Sequence, residues 1–367
     1  MCIYLVLLIP LVAVVALKFI FDQEIQWKEA IICIVATALV LVLCRGFAIL
    51  LLPKDKEFMN GYIIQAKYYE AWNELVTHYY TTSDGQGHTT MHSYTTVDYH
   101  PREWRANTNC LGDIDISEQQ YTKYVSMWQN NKFLDLDRHY HSIDGNMYYS
   151  NYDNKFQHIV PITKVHYYEN KIRHSKNVFN YERISSEEVS QAYAYPDLGM
   201  FDDTRNDNFP YLMGVSSVEA NHLLASWNAI LGSSKRVTIF LLVYTNKTQD
   251  VSFLQERYWQ GGNKNELVVC VGINDKNKIT WARVFSWTDS ETLKSSLSSS
   301  IMLQKDLDLA KTINLIGTST DKLWIKKDFR EFNYITVEVP TWINMIIIFL
   351  SLTTCGVLLY FAYEQDW

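Results

Sequence analysis

Three apolar runs frame this chain, two at its start and one at its end, and they confine nearly all of its polar sequence to one stretch between them. The runs are Met1 to Phe21, Ala30 to Leu52 and Trp342 to Tyr363. A helix needs about 20 mostly apolar residues to cross the hydrocarbon core of a bilayer, and each run is long enough. The first carries Pro10 and Lys18, the second carries Arg45, and the third carries no charge. A cleaved signal peptide is the competing reading of the first run. Nothing basic precedes Lys18, however, and Phe19, Ile20 and Phe21 are poor cleavage neighbours. The expectation is a transmembrane hairpin over 1–52, with a third transmembrane helix and short tail over 341–367.

Arg45 is costly at the centre of a bilayer. It is expected to snorkel to a headgroup; an interhelix partner or a pore-lining role is the alternative. Trp342, with Trp27, Tyr360 and Tyr363, suits the interfacial aromatic belt. Two charges in three helices, Lys18 and Arg45, are too few for a transporter or channel, which carry several intramembrane polar groups or broken helices. Arg45, Lys54 and Lys56 flank the domain side of the second helix, whereas the tail after Tyr363 has no Lys or Arg. That bias favours a cytoplasmic soluble domain in a multi-pass integral membrane protein.

The polar stretch is long enough for one large or two ordinary domains. A formal net charge of −7 leaves no basic surplus to hold nucleic acid. Only Cys110 and Cys270 fall in the soluble part, so there is no disulfide framework, and reduced thiols fit a cytoplasmic domain.

Within 53–195 the sequence reads as mostly antiparallel β. Gly61 to Thr82 and Thr89 to His100 are rich in Tyr, Ile, Val and Thr, and Ser83 to Gly87 turns between them. Ser117 to Gln120 matches a capping box and predicts a helix to about Gln129. Leu134 to Tyr152 predicts a further strand pair, and Ile159 to Arg173 and Val178 to Ile184 continue the β character. Residues 196–215 read as a linker. Beyond it, 216–340 reads as α/β. A helix is capped at Ser216 to Glu219 and ended by Gly232, buried strands run over Val237 to Tyr244 and Leu267 to Ile273, and a helix from about Val251 to Trp259 joins them. That strand–helix–strand has the length of a parallel crossover. Another capped helix starts at Thr288 to Glu291, and Leu323 to Val339 alternates as a strand would. The fold class expected is therefore α+β and membrane-anchored.

The segments TIFLLVYTN (Thr238 to Asn246) and YWQGGNKNELVVCVGIN (Tyr258 to Asn274) resemble the TPM-domain family in their order of hydrophobic strand, helix, glycine-bearing bend and second strand. The resemblance covers some 50 residues and implies a TPM-like α/β subdomain over 216–340. Proteins of that family are membrane-tethered; some are phosphatase-like or help photosystem repair, and some bind metal. The acidic residues of those metal sites have no clear equivalents here. The blocks DYHPREW (Asp98 to Trp104), RHYHSIDG (Arg138 to Gly145) and YWQGGNKNE (Tyr258 to Glu266) are similar to a group of membrane proteins of large tailed bacteriophages and some bacteria, a likeness that implies no activity.

Chemistry-bearing clusters are sparse. His139 and His141 sit at strand spacing with Asp135 and Asp137 on the same face. Paired with the strand carrying His88, His92 and His100, they would form a His/Asp site suited to zinc or manganese; scattered histidines more often make a solvated strand face. His100 with Glu103 or Asp98 could form an acid–base pair, against the plainer reading of a strand end closed by Pro101. Gly261 and Gly262 precede a strand and not a helix, so they cradle no phosphate, and Lys264 and Asn265 are left as candidates for a recognition surface. No Walker A, Gly-x-Ser-x-Gly, His-Glu-x-x-His or paired Cys-x-x-Cys motif is present. The function expected is a membrane-tethered interaction or assembly module whose partners are the bilayer and a membrane or envelope protein. The alternative is a metal-dependent, phosphatase-like hydrolase with a divalent metal held by His139, His141 and Asp137.

Overall fold

The computed structural model describes residues 27–134, 146–172, 184–196, 204–205 and 209–365, with 8, 11–13 and 15–16 ahead of them. Two compact units result. One comprises Met1–Lys56, Tyr167–Glu182 and Asp328–Trp367, and the other comprises Glu57–His166 and Arg183–Lys327.

The chain enters through helix α1 (Trp27–Leu51) and passes into a long strand, β1 (Lys54–Tyr69). Strands β2 (Trp72–Ser83) and β3 (Thr89–His100) follow and, among the described residues, pair only with each other, as a two-stranded sheet. The stretch read as one strand from Gly61 to Thr82 therefore breaks at Glu70 and Ala71, and its halves join different sheets. The larger sheet adds β4 (Glu103–Thr108), β5 (Asp113–Asp115), β6 (Lys132–Leu134) and β7 (Met147–Asn151) in the order β5-β4-β1-β7-β6. Strand β8 (Pro161–Glu169) also pairs with β1, and β9 (Thr204–Arg205) pairs with β8.

Between β5 and β6 lies helix α2 (Glu118–Trp128), opened by the capping box at Ser117 and Gln120. Its Tyr121, Tyr124 and Trp128, at helical spacing, pack with Ile63, Ala66, Ala106 and Ile162 into the core of the larger sheet.

After the short helix α3 (Ser186–Val189), a second sheet begins with β10 (Leu212–Met213), followed by helix α4 (Val218–Lys235). Strand β11 (Thr238–Thr245), helix α5 (Asp250–Tyr258) and strand β12 (Glu266–Ile273) form the expected parallel crossover, with all eight residues of the two strands in register. Strand β13 (Ile279–Ser286) closes the sheet antiparallel to β12. Seven of eight residues in β11 and all eight in β12 are buried, as a strand covered on both faces requires.

Helices α6 (Glu291–Met302) and α7 (Leu309–Leu323) complete that layer, α6 presenting Leu293, Leu297 and Ile301 to the core. Gly232 does not end α4. The helix runs on to Lys235 and stops at a left-handed Arg236. Gly232 instead lets the helix approach Asn60, whose Cβ would lie 2.5 Å from any added side chain. The alternating stretch Leu323 to Val339 forms no strand; one 3-10 turn, Phe329–Phe332, lies within it.

Helix α8 (Thr341–Gln365) ends the chain. Windows Ile31–Leu51 in α1 and Thr341–Phe361 in α8 are long and apolar enough to cross a membrane, and only 17% and 22% of them is buried. A core helix of a soluble body would be mostly buried, whereas these expose Val35, Val42, Phe47, Met345, Phe349 and Leu352. Two such helices, not the expected three, stand among the described residues. Most of the first apolar run lies outside them, although Ala13 touches the buried cluster of Cys33, Cys355 and Leu359.

Candidate functional site

The β2–β3 ribbon is an unusual surface among the described residues. Twelve consecutive pairs run from Trp72↔His100 to Ser83↔Thr89 without a bulge. At about 3.4 Å per residue, that is an arm roughly 40 Å long. No residue from Trp72 to His100 is buried.

Side chains alternate between its two faces. One face is tied together. His100 stacks on Trp72 at 4.2 Å, His78 on Tyr94 at 4.9 Å, and His92 on Tyr80 at 5.1 Å. The same histidines contact Glu74 Oε2 at 2.9 Å, Thr96 Oγ1 at 2.8 Å and Thr82 Oγ1 at 2.9 Å. The opposite face presents Leu75, Tyr79, Met91, Val97 and Tyr99, which are 43 to 69% exposed. At the tip, Asp84 accepts from the backbone N–H groups of Gln86 and His88 and from the His88 ring, and these bonds hold its carboxyl below the usual carboxylate range.

A second feature is a cleft of about 870 Å³ at the carboxyl end of β10, lined by Lys123, Met127, Val160, Gly214, Ser216 and His222 among others. Gly214 stands at φ +87°, and an added Cβ would sit 1.9 Å from the Val243 carbonyl oxygen. Ser217 caps α4 beside it, accepting from the Ala220 N–H at 3.2 Å. The chain thus runs strand, glycine loop, helix here, which is the order that Gly261 and Gly262 lack. Gly214 falls within 196–215, read from the sequence as a linker, and the two-residue strand before it carries no periodicity that would announce the site.

The residues singled out by sequence are placed as follows. His139, His141 and Asp137 lie outside the described residues, and no cluster of three or more metal-ligating side chains occurs among those described. Lys264 and Asn265 do not form a surface. Lys264 Nζ is 3.2 Å from Glu57 Oε1, with both side chains largely withdrawn from solvent, and Asn265 is buried and donates to the Phe58 carbonyl at 2.7 Å.

Glu57 Oε1 also accepts from His166 Nδ1 at 2.9 Å, while its Oε2 is buried with no hydrogen-bond donor among the described residues. His100 pairs with Glu74, not with Glu103 or Asp98; Glu103 pairs with Arg105 at 2.8 Å. Arg45 lies within α1 near its end, and Trp342, 62% exposed, opens α8. Compared with known protein families, curated proteins and solved structures, the chain matches none.

Proposed function

We propose that this chain is an integral membrane protein, held at the bilayer by helices at both ends, whose polar body is an interaction module with the β2–β3 ribbon as its contact element. One observation carries the reading: twelve-residue strands that, among the described residues, pair only with each other and expose an apolar face. A lone two-stranded ribbon is marginal in water, and a contiguous exposed apolar face marks an interaction surface. Tethering supports the same reading, because a membrane-bound partner gains effective concentration from it and a diffusing substrate does not. The basic residues Arg45, Lys54 and Lys56 favour a cytoplasmic body; α1 and α8 make two passes, and the first apolar run adds a third if it also crosses. A TPM-like topology for β11 to β13 belongs to this proposal too.

Photocrosslinking in cells expressing the full chain tests it. A benzophenone side chain at Tyr79 or Tyr99 is expected to give a discrete protein adduct in the membrane fraction. At Phe253, exposed on α5, it is expected to give none. No adduct from the ribbon, or equal adducts from all three positions, would refute the interaction role.

A further inference from the structure

Exposed strand edges are ordinarily guarded by Lys, by Pro, by bulges or by shortness. The ribbon has none of these. Both strands are twelve residues long, their register is unbroken, and Trp72 to His100 contains no Lys, Arg or Pro. Its ionisable side chains, tyrosines aside, are three carboxylates (Glu74, Asp84, Asp98) and four histidines (His78, His88, His92, His100), so it carries −3 with the histidines neutral.

Glu74 and Asp98 stand directly opposite each other in the ladder. Like charges so placed destabilise the pair. His100 sits against Glu74, whereas Asp98 makes no ion pair among the described residues.

We infer that the β2–β3 ribbon receives an extended, Lys- or Arg-bearing segment of a partner protein, which adds as a third strand along one of its edges. The inference rests on the interaction-module reading and names that module's partner class. Main-chain hydrogen bonds to the open edge supply affinity, and alternate side chains of the incoming strand meet the two faces of the ribbon. On one face its apolar residues extend the row of Leu75, Tyr79, Met91, Val97 and Tyr99. On the other its cations approach Glu74 and Asp98. A second copy of the chain would bring the same −3 and be repelled. An anionic lipid surface or a nucleic acid would be repelled for the same reason.

The test uses the full chain in nanodiscs of zwitterionic lipid. The probes are a fluorescent ten-residue peptide alternating Lys and Val and the same peptide with Glu for Lys. The Lys peptide binds and the Glu peptide does not. Binding weakens about tenfold between roughly 50 and 500 mM salt, and amides of β2 or β3 become protected from exchange at alternate positions.

Replacing Glu74→Lys with Asp98→Lys turns the ribbon from −3 to +1 and reverses the preference between peptides. A second variant, with 76–96 replaced by Asn-Gly, binds neither peptide while retaining the melting temperature of the rest of the chain. Equal binding of both peptides, binding of neither, or a doubling of mass that needs the ribbon overturns the inference, as does binding that appears only on vesicles of anionic lipid. Failure here alongside a discrete photocrosslinked adduct would reject the cationic strand and leave the interaction role standing. Loss of both would reject the two together.

Discussion

Glu57 and Lys264 are 207 positions apart in sequence, yet their charges meet at 3.2 Å with both side chains largely withdrawn from solvent. A charged pair held out of water repays its desolvation only through its own attraction and any further hydrogen bonds. Glu57 has the first in Lys264 and one of the second in His166, with Oε2 left over. Removing one partner strands the other. Glu57→Gln is expected to cost about 2–4 kcal/mol, and Glu57→Leu with Lys264→Met to recover most of that loss; melting temperatures of the single and double variants in detergent decide it. No recovery in the double variant would mean that the pair is not the reason for the cost. Gly214 is the sharper case. At φ +87°, with Val243 O 1.9 Å from where a Cβ would stand, Gly214→Ala must push β10 away from β11. A loss of about 3 kcal/mol or more is expected, and an unchanged melting temperature would contradict the tight approach.

The elements differ in how plainly the sequence announces them. Strands β11 and β12 are apolar runs bounded by Asn and Gly, and burial on both faces follows from that composition. Helix α2 was legible from Ser117 and Gln120, whose reciprocal cap needs only local residues. The division between β1 and β2 was not legible, because Glu70 and Ala71 carry no turn chemistry and the two strands share a composition. Their difference lies in what covers them, and the sequence does not encode that locally. Lys264 and Asn265 were misplaced for the same reason, since their partners Glu57 and Phe58 come from the far end of the chain. Coverage also sets local stability. Without a third strand, backbone amides of Trp72–Ser83 and Thr89–His100 are expected to exchange orders of magnitude faster than those of β11 and β12. Exchange measured residue by residue on the full chain, if equally slow in both, would show that something already shields the ribbon.

At the scale of the whole molecule, the two apolar helices meet along a seam of small and branched residues. Cys33, Thr37 and Leu41 of α1 recur at every fourth position, as do Ile347, Ser351, Cys355 and Leu359 of α8, and all are buried. Within hydrocarbon, small residues let helices approach closely, and packing replaces the hydrophobic drive between them. Leu41 clusters with Ile347, and Cys33 with Cys355. One number falls as the other rises, so the helices run antiparallel, with the last turn of α1 and the first turn of α8 at the same end of the pair.

Cys33 and Cys355 share one buried cluster, and both are free thiols. Copper-phenanthroline with dissolved oxygen, applied to membranes, should therefore take two electrons and two protons from the pair and close a disulfide between the first and last described spans. With a protease site inserted at the ribbon turn, 84–88, the cleaved halves should stay together on a non-reducing gel and part on reduction. Cys33→Ser should abolish the link. Halves that part without reductant, or a chain that alkaline carbonate strips from the membrane pellet, would dismiss the antiparallel pair and the two-ended anchor that depends on it.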